Sequence, residues 1–86
     1  MDSGKRPLNC TVKMPDAAER FTVEGVQQIK FLAELTLEGK PVTRTITATG
    51  EACETISNLI AQIVDRKMDD AEIIVWINPT EVRLAD

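Results

Sequence analysis

The chain has 86 residues, room for one domain (residues 1–86) and not for two. Hydrophobic residues at 43% and charged residues at 28% sit near globular averages and argue against a disordered chain. A charge of −4 with no histidine removes the commonest general base, the usual zinc ligand and any Ser-His-Asp or Cys-His arrangement.

The charge is uneven. Residues 51–86 hold eight acids against three bases, a net −5, whereas residues 1–50 are at +1. An acidic C-terminal half repels phosphate backbones and favours basic partners. No window approaches the ~20 apolar residues of a membrane helix, and no apolar stretch of secretory length follows the N-terminus. A cytoplasmic protein without membrane contact is the expectation. Cys10 and Cys53 form no CxxC and are expected as free, mostly buried thiols.

Residues 1–6 are polar and expected to be loose. From Leu8, apolar Leu8, Cys10, Val12 and Met14 alternate with Asn9, Thr11 and Lys13, the period of a half-buried strand that Pro15-Asp16 ends. Residues 16–20 read as a loop or a single helical turn. Phe21 and Val23 mark a short strand that stops or bulges at Gly25.

The clearest local signal spans residues 28–49. Ile29, Phe31, Ala33, Leu35 and Leu37 alternate with Gln28, Lys30, Leu32, Glu34 and Thr36. Glu38-Gly39 supplies turn chemistry, and Val42, Ile46 and Ala48 then alternate with Thr43, Thr45, Thr47 and Thr49. Folding about this turn places Leu35 opposite Val42, Phe31 opposite Ile46 and Ile29 opposite Ala48, with Lys30–Thr47 and Glu34–Thr43 on the other face. The competing reading makes residues 25–38 a helix through Val26, Ile29, Ala33 and Leu37, which strands Phe31 and Leu35 on the wrong side.

Gly50 breaks the strand and a helix follows, with Glu51 and Glu54 in its first turn and Arg66 and Lys67 expected in its last. Ala52, Ile56, Leu59, Ile60 and Ile63 form one stripe, flanked by Cys53 and Val64. Asp69-Asp70 ends the helical region. The run Ile73-Ile74-Val75-Trp76-Ile77 then reads as a strand covered on both faces, or as one with a face free to bind. Asn78-Pro79 ends it, and Val82 and Leu84 suggest a last short extended piece.

No constellation of these residues looks catalytic, and none implies a cofactor or metal. Ser57 lies on the predicted helix without a partner motif, Cys53 suits a core, and Gly4, Gly25, Gly39 and Gly50 stand too far apart to cradle a phosphate. Basic residues are scattered, which disfavours nucleic acid. Trp76 belongs either to the core or, with Ile74 and Leu32, to an apolar patch for a partner, tryptophan being enriched at binding hot spots.

Two loose resemblances follow. Residues 33–40 (AELTLEGK) and then 47–52 (TATGEA) entering a helix resemble the leucine-sensing module of isopropylmalate synthases, without the second glycine and the proline of that junction. That likeness implies small-ligand sensing. Residues 42–64 resemble the strand–glycine–helix passage of Alba-type nucleic-acid-binding proteins, without their basic loop residues and only if residues 25–38 are helical. Each covers less than half of the chain.

The expected architecture is an α+β domain: a mainly antiparallel sheet of four or five strands with one long helix on its apolar face, in the order β-β-β-β-α-β. The first functional expectation is a non-enzymatic protein-binding or self-associating module of the small bacterial or phage adaptor or inhibitor type, forming a homodimer or binding another protein. Its surfaces would be Trp76, Ile74 and Leu32 with the acidic Asp69 and Asp70. A small-ligand regulatory domain and an Alba-like nucleic-acid binder are the alternatives.

Overall fold

Glu24-Gly25 and Glu38-Gly39 both adopt positive φ, at 51° and 81° and at 51° and 78°, the backbone of a two-residue hairpin turn matched to strand twist. In the computed structural model, which describes residues 4–85, these turns join β2 (Glu19–Val23), β3 (Val26–Leu37) and β4 (Lys40–Thr49) into a meander. The β3–β4 register pairs Leu35 with Val42, Phe31 with Ile46 and Ile29 with Ala48, as the alternation predicts. Residues 26–37 are therefore strand, and the helical alternative for residues 25–38 is not adopted.

Helix α1 (Gly50–Asp65) leaves β4 directly and lies across one face of the sheet. Its Ala52, Cys53, Ile56, Ile60 and Ile63 are buried, with Leu59 packed at the margin. Arg66 and Lys67, expected in the last turn, lie just beyond it. The N–H of Lys67 donates to the Val64 carbonyl and that of Met68 to the Ile63 carbonyl, while Lys67 takes φ 56°. This left-handed closure ends the helix one residue before Arg66.

The remaining strands are β1 (Arg6–Lys13), β5 (Asp70–Ile77) and β6 (Val82–Ala85), with 3₁₀ turns at Pro15–Ala17 and Pro79–Glu81. The strand order is β5-β1-β3-β4-β6, all antiparallel, with β2 beside the start of β3. The sheet thus has six strands rather than four or five, the sixth being the short piece around Val82 and Leu84. Strand β1 begins within the segment expected to be loose: Arg6 pairs with Ile77, and the Lys5 ammonium lies 3.1 Å from the Glu51 carboxylate. The expectation for residues 1–3 falls outside the described residues.

Between sheet and helix lies an all-apolar core of Cys10, Val12, Ile29, Phe31, Ala33, Ile46, Ala48, Ile73, Val75 and Ile77 against the helix stripe. No charged or polar side chain among the described residues is buried. Met14 departs from the pattern: it takes φ 45° at the entry to the first 3₁₀ turn and is 56% exposed, because the chain leaves the strand plane there. Phe21 and Val23 lie opposite or beside Gln28, on the face away from the helix. Phe21 is half-buried there, with the Lys30 ammonium 5.9 Å from its ring centre.

Candidate functional site

A five-residue apolar run in an extended strand must send its side chains to opposite faces of the sheet. In β5, Ile73, Val75 and Ile77 go inward and are 6–7% exposed, whereas Ile74 and Trp76 go outward and are 63% and 64% exposed. The tryptophan is therefore a surface residue.

What leaves it bare is its surroundings. Trp76 sits opposite Pro7 and Ile74 opposite Asn9, both short side chains on β1. Strand β1 in turn pairs with β3 only at Thr11, Val12 and Lys13. Beyond Cys10 the two strands part, leaving a cleft of about 270 Å³ lined by Asn9, Cys10, Glu34, Leu35, Thr36 and Glu72. At the Trp76 end β5 and β1 thus form a two-stranded ribbon, packed on its inner face, with no third described strand paired beside β1 to shelter the indole. On its far side β5 is the edge of the sheet.

Five residues stood out in the sequence as a partner surface. The structure brings Ile74 and Trp76 together and leaves the others apart from them. Leu32 shares their face but is half-buried in the row Asp70–Lys13–Leu32–Thr45, four residues along β5 from Ile74, or about 13 Å at strand spacing. Asp70 is held by Lys13 at 3.1 Å. Asp69 lies exposed in the bend before β5.

Sequence reasoning missed a second concave surface. The 3₁₀ turn Pro15–Ala17 packs against α1 and borders an open groove of about 490 Å³ lined chiefly by Pro15, Ala18, Ile29, Ile60, Ala61 and Val64. Asp16, Asp65 and Arg20 stand at its margin, with the Arg20 guanidinium 2.8 Å from the Gln27 side-chain oxygen. These residues come from four separate elements, and only the flanking position of Val64 on the helical stripe hinted at them.

Both cysteines are free and buried. Burial pushes the Cys10 thiol up to about 11, which keeps it protonated and poorly nucleophilic at neutral pH. Cys53 contacts the Ser57 hydroxyl at 3.9 Å. Among the described residues, no three His, Cys, Asp or Glu side chains stand together as metal ligands, and no helix is long and apolar enough to cross a membrane. Two apolar features mark the described surface: the Ile74–Trp76 face of an edge strand, and the groove beside α1. The chain matches no protein-family model, no curated protein and no solved structure.

Proposed function

We propose that this chain is a non-enzymatic protein-binding module whose contact surface is the outer face and free edge of β5. The observation that carries the reading is the exposure of Trp76 and Ile74 side by side, at 64% and 63%, on a strand whose other face is core. Tryptophan gives the largest apolar contact per side chain and dominates binding energy where it is found at interfaces. Here it is anchored on a rigid strand, so little conformational entropy is lost when a partner covers it. The test is a pull-down with tagged wild type and Trp76→Ala, with and without nuclease. A stoichiometric protein partner that survives nuclease and disappears with the variant supports the reading; partners retained equally by both proteins overturn it.

A second reading, a small-ligand regulatory domain, is favoured by the groove beside α1. Its 490 Å³ falls within the roughly 300–1,000 Å³ typical of ligand pockets, and its wall is mostly apolar with a few polar groups at the margin. Saturable thermal stabilisation by one member of an amino-acid and nucleotide panel would support it, and a flat melting temperature across the panel would remove it. The Alba-like alternative presupposed a helix over residues 25–38, where the chain forms β3.

A further inference from the structure

Sheet edges in soluble proteins are usually defended by charge, proline, a bulge or brevity. Strand β6 has four residues with Arg83 among them, and β2 carries Glu19 and Arg20. Strand β5 has eight residues and no proline, and from Ile73 to Ile77 it carries no charge. Its charges, Asp70 and Glu72, lie within its first three residues, so Ile73–Ile77 is the longest uncharged edge segment among the described strands, and it is also the segment that exposes a tryptophan.

We infer that the occupant of this edge is a second copy of the same chain, paired antiparallel through β5 about a two-fold axis at Val75. The inference rests on the protein-binding reading above and names its partner. The strand is self-complementary in that register. Val75 lies opposite itself, Ile73 opposite Ile77, and Ile74 opposite Trp76 of the other copy. The two outward pairs merge into one cluster of four apolar side chains, while the inward row joins the two cores edge to edge. Glu72 falls opposite Asn78, so no acid faces an acid.

Neighbouring registers that keep the same faces are worse. Sliding the pairing to centre on Ile74 sets Trp76 against Glu72. Centring on Trp76 leaves Ile74 facing Asn78. The match of apolar to apolar thus selects one register, and the two six-stranded sheets become one continuous sheet with Trp76 near its middle.

The contact is modest in size. One strand edge and two outward side chains per copy give less than the about 1,200 Å² below which complexes are weak and transient. A weak, reversible dimer is expected at this size, so the tryptophan remains available at low concentration.

Sedimentation equilibrium of the full chain over a wide concentration series is the first test. The expected result is a monomer–dimer equilibrium accompanied by a blue shift of tryptophan emission as dimer forms. Trp76→Lys should raise the dissociation constant at least tenfold without changing the melting temperature measured at low concentration. Register is tested with Ile74→Cys and Trp76→Cys chains under a mild oxidant: an equimolar mixture should cross-link into the mixed dimer, and neither variant should cross-link alone. A wild type that is monomeric throughout, a dimer indifferent to Trp76→Lys, or self-cross-linking of Ile74→Cys would each overturn the proposal. The broader protein-binding reading fails separately, when the pull-down shows no partner that depends on Trp76.

Discussion

The backbone N–H of Glu51, at the start of α1, donates to the carboxylate of Glu81 at 3.2 Å, thirty positions away in the chain. The carboxylate sits on the positive end of the helix dipole and satisfies one of its orphan N–H groups. Thr49 contributes no side-chain cap but bonds its hydroxyl to the Glu81 carbonyl at 3.4 Å. The junction is further fixed by Gly50, at φ 60°, where a Cβ would overlap the Glu81 carboxylate. Glu81→Ala is expected to lower stability by about 1 kcal/mol, the usual cost of losing a cap. Gly50→Ala should cost more, since the added Cβ displaces the Glu81 carboxylate from its cap and also meets backbone strain at φ 60°. Urea denaturation reads both; an unchanged midpoint for Glu81→Ala would mean that the contact adds nothing.

Trp76 and Ile56 offer opposite expectations. Trp76→Ala should change stability by less than about 0.5 kcal/mol, as surface substitutions do. Ile56→Ala, at a site with no exposure, should cost about 2–5 kcal/mol through lost burial and a residual cavity. In dilute solution the native tryptophan should emit at a solvent-exposed wavelength and be readily quenched by iodide. Emission that shifts strongly to the red on unfolding at low concentration would place the ring in the core instead.

Cys10 links stability to alkaline pH. Its thiol is raised from 9.0 to about 11 by burial, so below pH 9 it is neutral in both folded and unfolded chains and contributes no pH dependence. As pH rises from 9 towards 11, the unfolded chain releases a proton that the folded chain keeps, and stability falls. Denaturation of wild type and Cys10→Ala at both ends of this window checks the sign: the loss on raising the pH should be larger in wild type. The same burial should make Cys10 slow to react with a thiol reagent until the protein unfolds.

Lys67 closes the helix with φ 56°, a conformation that costs a side-chain-bearing residue about 1–2 kcal/mol. Lys67→Gly is therefore expected to raise stability by about 0.5–1 kcal/mol after the greater freedom of glycine in the unfolded chain is counted. A lower thermal midpoint would show that the lysine side chain contributes something at this position that the glycine forfeits.

These expectations divide along a line that also separates what the residues disclosed from what they did not. The β3–β4 register was readable because the alternation, the apolar pairing and the Glu38-Gly39 turn are all local and agree. The helix and the alternation of β5 were readable for the same reason. The exposure of Trp76 was not, because it depends on Pro7 and Asn9 lying opposite and on β3 turning away from β1, and no local pattern records which strands become neighbours. Met14 carried the right polarity but sits where the chain leaves the strand plane. Glu81 looked like an ordinary surface acid, and only the packing of the turn Pro79–Glu81 against the helix start gives it a role.

The placement of β1 has a consequence for how the molecule is made. Its hydrogen-bonding partner along its whole length is β5, with Cys10 opposite Ile73, while its attachment to β3 covers three residues. The segment that leaves the ribosome early therefore waits for one that leaves late, while the β2–β3–β4 meander and α1 already have the local contacts to form. During that interval the inward faces of β3 and the helix lack their Val12, Ile73 and Val75 covering. The pairing that completes the sheet is thus the one of longest sequence separation, and the step for which the chain must bring its two ends together.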